Sequence, residues 1–324
     1  MSSRYKKWFW GALLLANLAV AGAFFFIFFS GRDYSVNQKE NAHVIGVSYM
    51  TMNNEFYAIM SEEINARIEA EGDKIILRDP ALDEERQREQ ISEMLDAGID
   101  LLVVTPVDWE SLTPVLQQAK EQGVFVVVLD TDVQDEDLAD CTITSDNYQA
   151  GRIVGEYFKR SHGQARVVVM THETTRSGQD RVQGFLDAVK DCRGIEIVRE
   201  IECEGQLEIA MPAMEEAIEE GLEFDHVFCL NDLASVGVVA ALDARGLTGH
   251  VEVYGVDGSP DAKALIREGM MTATAAQFPT EIGKRAADAI YELLSGGSTE
   301  EKVRIPVELI TRENVEEFGV DRWQ

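Results

Sequence analysis

Short runs of apolar and β-branched residues alternate with amphipathic stretches along most of this chain, and the alternation occurs twice. HVIGVSY, from His43 to Tyr49, precedes Phe56, Ile59, Met60, Ile64 and Ile68 at helical spacing; KIIL, LLVV and VFVVVL follow, separated by helical stretches that run to Ala97 and to Gln122. Runs this continuously apolar suit strands covered on both faces. Strands alternating with helices predict a parallel, doubly wound α/β sheet. After a predicted helix from Asn147 to Arg160 the pattern restarts: RVVVM, a helix from Gln179 to Lys190, IEIV, a helix ending near Glu220, HVFCL, a helix from Leu233 to Arg245, and VEVYGV. A chain of 324 residues accommodates two such lobes. A cleft between them is the expected home of a small ligand.

The formal charge of -29, from 29 basic and 58 acidic side chains, is spread along the chain. It repels nucleic acid, which is bound through clusters of Lys and Arg, so no nucleic-acid partner is expected. At the amino terminus, residues 1–7 carry Arg4, Lys6 and Lys7 and precede an uncharged run from Trp8 to Phe29. As a helix, residues 8–29 would rise about 33 Å at ~1.5 Å per residue, enough to cross a bilayer core. The competing reading is a cleaved signal, with small-residue sites between Ala19 and Ala23. Cleavage there would expose Phe24-Phe25-Phe26-Ile27-Phe28-Phe29 as a mature end, and the run exceeds the usual signal core of ~7 to 15 residues, so a retained single-pass anchor is the expectation. Basic residues before it place the N-terminus in the cytoplasm and the body outside. Residues 30–42 read as a polar tether. Cys141, Cys192, Cys203 and Cys229 lack paired CxxC spacing, so zinc is not expected; Cys229, within Val227-Phe228-Cys229-Leu230, reads as a buried thiol. Outside the cell Cys192 and Cys203 are the pair to weigh as a disulfide.

One stretch bears directly on ligand binding. Met50-Thr51-Met52-Asn53-Asn54-Glu55-Phe56-Tyr57 sets amides and aromatic rings where the first strand gives way to a helix. Asn there caps a helix by satisfying free amide donors. The carboxyl end of a strand in an open α/β sheet is also where ligands are held. Further segments sit at other predicted strand exits: Leu129-Asp130-Thr131-Asp132, Thr144-Ser145-Asp146-Asn147-Tyr148-Gln149-Ala150-Gly151, Leu230-Asn231-Asp232, Tyr254-Gly255-Val256-Asp257-Gly258-Ser259-Pro260-Asp261, and the run from Thr272 to Lys284.

From about His43 to Arg312, and in this order, these motifs resemble the ribose-binding class of periplasmic sugar-binding proteins, the type I periplasmic binding protein fold shared with LacI-like ligand-binding domains. The resemblance implies two doubly wound lobes joined by a three-crossover hinge, residues 43–146 plus 278–306 forming the first and 147–277 plus 307–324 the second, closing on a monosaccharide. It implies that Asn54, Phe56, Tyr57, Asp130, Asn231, Asp257 and Gln277 contact the ligand, as do the residues at two further contact positions, Thr131 and Gln179. Sugars present hydroxyls and apolar C–H faces, which call for carboxylates and amides interleaved with rings. Two departures stand out: the arginines usual after the first-lobe aspartate and at the start of the second lobe's second helix are replaced by Thr131 and Gln179. An aromatic usual in the second lobe is absent near Gly205. Two lost guanidiniums beside two retained carboxylates predict an acidic pocket, suited to an amino sugar, a polyol or a cationic small molecule as alternatives to a neutral sugar. Met50, Trp109, His172 and Arg181 are further candidates for the site, with Trp109 a replacement stacking face.

No GxSxG, GxxxxGK[ST] or GxGxxG motif follows a strand, and His172 has no paired nucleophile or metal-ligand spacing, so catalysis is not expected. The acidic stretch from Asp130 to Asp140 lacks the glycine and spacing of a calcium loop. Neither a cofactor nor a metal is implied. Two roles use the same clamp: delivery of ligand to an ABC permease, or an anchored sensory subunit signalling to a membrane histidine kinase. The Phe-rich end of the span is a candidate kinase contact, although no GxxxG motif supports tight helix pairing.

Overall fold

The computed structural model describes residues 42–324. The predicted membrane span, the basic segment before it and all but the last residue of the tether lie outside them. Among the described residues no helix is long and apolar enough to cross a membrane.

Two six-stranded sheets organise the body. The first contains β1 (Val44–Ser48), β2 (Lys74–Arg78), β3 (Leu101–Val104), β4 (Phe125–Leu129), β5 (Cys141–Ser145) and β11 (Lys302–Ile305) in the order β11-β5-β4-β3-β1-β2. The second contains β6 (Ala165–Thr171), β7 (Ile195–Glu202), β8 (His226–Cys229), β9 (Glu252–Asp257), β10 (Ala273–Ala276) and β12 (Glu308–Thr311) in the order β12-β10-β9-β8-β6-β7. Within each sheet the strand order reverses once, beside β1 and beside β6, and such switch points open a crevice at the carboxyl ends of the strands.

The chain passes between the sheets three times: from β5 to the second sheet, from β10 back to the first, and from β11 to β12. The last passage corrects the expectation of uniformly parallel strands. β11 runs parallel to β5, whereas β12 pairs antiparallel with β10. Both sheets point their strand ends toward the same cleft, so a strand that crosses it without turning must enter the second sheet reversed.

The central strands of the first sheet are covered on both faces, while its edge strand β2 is largely exposed. Ile45, Val47, Leu101 and Val103 pack on one side and Leu102, Val104, Val126 and Val128 on the other, which is why these strands read as unbroken apolar runs. The second sheet surrounds a core in which Phe185 and Phe228 stack with centroids 4.2 Å apart. All four cysteines are free, so the Cys192–Cys203 pairing does not form.

Two contacts fix how the elements meet. Helix α4 (Asn147–Ser161) crosses α5 (Arg176–Val189) at backbone distance, because the crossing is lined by glycines. A Cβ on Gly151 would lie 1.8 Å from the Arg181 carbonyl oxygen, and one on Gly184 would lie 2.1 Å from that of Tyr148. Separately, the buried Lys263 gathers the C-terminal segment: its Nζ donates to the carbonyls of Phe318 and Arg322 at 3.5 and 2.6 Å and to Gln324 Oε1 at 3.0 Å. Burial lowers its pKa. The segment so held lays Trp323 on Phe56, centroids 5.7 Å apart, and donates the indole N–H to Glu55 Oε2 at 2.8 Å.

Replacing Gly151 with Ala should therefore destabilise the fold although Ala is the better helix former. Forcing the helices apart is expected to cost about 1–3 kcal/mol, read as a lowered urea midpoint; an unchanged or raised midpoint would show that the crossing is not close.

Candidate functional site

Strand exits of both sheets converge on one cavity with about 480 Å³ of space not filled by protein atoms, part of it open to solvent. The first sheet contributes the loop after β1, with Met50, Thr51 and Asn54, then Phe56 and Tyr57 from the first turn of α1 (Glu55–Glu71), and Asp130 after β4. The second contributes His172 after β6, Thr175, Ser177 and Arg181 from the start of α5, Asn231 after β8 and Asp257 at the end of β9; Gln277 follows β10. Asn54 also caps α1, its side chain accepting the Phe56 N–H at 3.0 Å.

The backbone is strained where it presents these groups. Asp130 has φ +69°, Asp257 φ +136° and Glu204, also on the cavity, φ +50°. Residues other than glycine rarely adopt positive φ, and the cost of order 1–3 kcal/mol each persists where surrounding structure holds it, commonly at ligand sites.

A continuous polar network binds the pocket together. Tyr57 Oη donates to Asp130 Oδ2 at 3.1 Å. Arg181, almost wholly buried, donates from Nε to Asn147 Oδ1 at 2.8 Å and from a terminal nitrogen to Asp257 Oδ1 and the Leu230 carbonyl, each at 3.3 Å. Gln277 Nε2 donates to Asp257 Oδ1 at 2.7 Å. Asn147 reaches the other way, donating to the Asp130 carbonyl at 3.3 Å. Two buried acceptors in the cavity, Asp130 Oδ1 and Gln277 Oε1, have no protein partner. A buried acceptor without a donor costs about 1–3 kcal/mol, so these two atoms ask for hydroxyl or N–H groups from a ligand.

Burial dominates the electrostatics. It raises the Asp130 pKa, with Arg181 opposing, and raises that of Asp257 against the same guanidinium. Behind Asp257 lies Asp232, buried, whose carboxyl accepts from Ser259 N at 2.8 Å and Thr274 Oγ1 at 2.8 Å; burial and then repulsion from Asp257 raise its pKa strongly. Burial lowers the His172 pKa, favouring the neutral ring.

Of the sequence-predicted residues, Asn54, Phe56, Tyr57, Asp130, Asn231, Asp257 and Gln277 line the cavity, as do Met50, His172 and Arg181. Thr131, Gln179 and Trp109 do not. Gln179 lies on the outer side of α5, where its amide donates to the Glu173 carbonyl at 2.7 Å. The expected helix start at Gln179 was too late: Thr175 caps the helix, accepting from Gly178 N, and this phase turns Arg181 inward. The pocket therefore keeps one guanidinium, and the expectation of two lost arginines is corrected. Thr131 and Trp109 instead join the two sheets' loops. Ser177 N donates to Thr131 Oγ1 at 2.9 Å, Trp109 N donates to the Thr174 carbonyl at 3.0 Å, and the Arg176 guanidinium lies 5.8 Å from the Trp109 ring centroid. Sequence reading missed Asn147 as the link between Asp130 and Arg181, although it quoted the motif containing it.

Asp232 gives a pH prediction. A carboxyl whose folded pKa is raised binds a proton that the unfolded chain has lost, so its contribution to stability falls as pH rises from the ordinary carboxylate range toward about 8. Asp232→Asn removes this dependence. Urea unfolding at several pH values should show the variant gaining on the parent by on the order of 1 kcal/mol per pH unit across that window, and parallel curves would contradict the assignment.

Comparison with known proteins follows the same geometry. Residues 45–298 match the family model described as periplasmic binding protein domain. The ribose import binding protein of Bacillus subtilis is 25% identical over 279 residues, covering 86% of this chain and 90% of that protein. A putative rhizopine-binding protein of Rhizobium meliloti is 27% identical over 292 residues, covering 87% and 94%. The myo-inositol binding protein of Caulobacter, solved with myo-inositol bound, superposes with a TM-score of 0.80 at 25% identity, over 86% of this chain and 96% of that one. Each is described as a binding protein and none as an enzyme. With two lobes facing one polar cavity and a family match over most of its length, this chain belongs to the periplasmic binding protein family.

Proposed function

We propose that this protein is an extracytoplasmic, membrane-anchored solute-binding protein that closes on a neutral polyhydroxylated ring, a monosaccharide or a cyclitol, and delivers it to an ABC permease. The observation that carries the ligand class is the pair of unpartnered buried acceptors, Asp130 Oδ1 and Gln277 Oε1, in a cavity that also presents the rings of Phe56 and Tyr57. Hydroxyls would meet the acceptors and C–H faces the rings. The Arg181 guanidinium beside Asp257 offsets one carboxylate, which favours a neutral ligand over a cationic one. Relatives named for ribose import, rhizopine and myo-inositol support the same class.

In this reading Asn54, Phe56, Tyr57, Asp130, Asn231, Asp257 and Gln277 contact the ligand, with Met50, His172 and Arg181 beside them. The lobes, 43–146 plus 278–306 and 147–277 plus 307–324, move about the three crossovers. Anchorage rests on the uncharged run 8–29 behind Arg4, Lys6 and Lys7.

Thermal unfolding of the full chain in detergent against pentoses, hexoses, myo-inositol, amino sugars and polyamines tests the ligand class. A ligand at 100 times its Kd should stabilise the protein by about 2.7 kcal/mol. A shift with a neutral ring compound is expected, weakened on the order of tenfold (about 1.4 kcal/mol) by Asp130→Asn; shifts confined to cations would defeat the proposal. For the anchor, the intact mass of the protein in the membrane fraction should include residues 8–29, and a soluble, shortened chain would instead establish a cleaved signal.

A further inference from the structure

At the end of the second sheet opposite the cavity, three residues from distant parts of the chain meet: His162, the C-cap of α4; His226, the first residue of β8; and Glu252, the first residue of β9. One donor atom from each lies within 4.8 Å of the other two. His162 Nε2 is 3.4 Å from Glu252 Oε1, and the two imidazole centroids are 4.3 Å apart at 71°. Donors held ~2.0–2.2 Å from a tetrahedral zinc ion are separated from one another by about 3.3–3.6 Å, so the His162–Glu252 spacing is already that of a shared ion.

The outer contacts have the form that metal ligands need. Each imidazole spends its Nδ1 elsewhere, His162 on the Phe158 carbonyl at 3.0 Å and His226 on the Asp225 carboxylate, and this leaves both Nε2 atoms for a metal. Hydrogen bonds of this kind fix tautomer and ring orientation in metal sites. Glu252 Oε2 accepts the Tyr254 hydroxyl, which leaves Oε1 toward His162. The Phe158 ring lies 5.0 Å from each imidazole and shields one side. Glu252 stays partly exposed, which gives an ion a route in and an open position for water.

We propose that His162, His226 and Glu252 form a binding site for a divalent transition metal of the zinc class, which ties the end of α4 to the starts of β8 and β9. Two imidazoles and a carboxylate are the donor set such ions favour over calcium or magnesium. The site is separate from the ligand cavity, so it stands whatever the protein binds there.

The full chain in detergent, stripped with EDTA and returned to chelator-free buffer, should bind one Zn²⁺ per chain, with a melting point raised by Zn²⁺ and restored by EDTA. Co²⁺ in its place should give visible absorption bands of a four- or five-coordinate ion. Glu252→Gln and His162→Gln should each weaken Zn²⁺ binding at least tenfold while the metal-free variants unfold in urea at the parent's midpoint. Affinity unchanged in both variants would assign the ion to carboxylates elsewhere on the acidic surface and overturn the proposal, as would the absence of any stoichiometric binding to the parent.

Discussion

The buried guanidinium of Arg181 is the interaction on which the cleft depends. Asp130, Asp232 and Asp257 all lie away from water, and carboxylates so placed either neutralise or need a cation. Arg181 is the cation, and it is aimed by Asn147 from one side and by the Leu230 carbonyl and Asp257 from the other. Its placement rests in turn on the glycines of the α4–α5 crossing, because the Arg181 carbonyl sits where a Gly151 side chain would be. A backbone contact between two helices thus decides the charge of a pocket. Removing one partner of such a buried pair typically costs about 3–5 kcal/mol, far more than the pair itself contributes.

How much of this was legible in the sequence varied with the physical signal. Strands buried on both faces announce themselves as apolar runs, and the two-lobe α/β architecture followed from their alternation. Asp130, Asp257 and Asn231 were legible because polar residues directly after such runs have few other reasons to be there. Gln179 was misread for a local reason: the apolar pattern put the helix start there, but Thr175 caps a helix that begins three residues earlier at Arg176, so Gln179 faces outward and Arg181, two residues on, faces the cavity. The reversed β12 was illegible, since a four-residue strand carries no mark of its direction. The triad of His162, His226 and Glu252 was equally hidden, being spread over some ninety residues with no motif spacing.

The two ends of the second sheet are built for different work. At the carboxyl ends the backbone is held in rare conformations at Glu204 and Asp257, and polar atoms are left without partners. At the amino ends of β8 and β9 every donor of the histidine–glutamate cluster is oriented by a second contact, and aromatic rings fill the space between. Strain and unmet hydrogen-bonding capacity suit a site whose occupant comes and goes; satisfied contacts suit a brace.

The C-terminal segment carries one more consequence. Lys263 fastens it to the second sheet's side of the molecule, while Trp323 rests on Phe56, which belongs to the first helix. Trp109, the other indole among the described residues, meets α5 across the same divide through Thr174 and Arg176. Both indoles of the described residues therefore bridge elements of the two sheets. In the proposed clamp motion, opening would strip Phe56 from one and a guanidinium from the other, so the two indoles would act as an intrinsic optical gauge of closure, readable by emission without any attached dye.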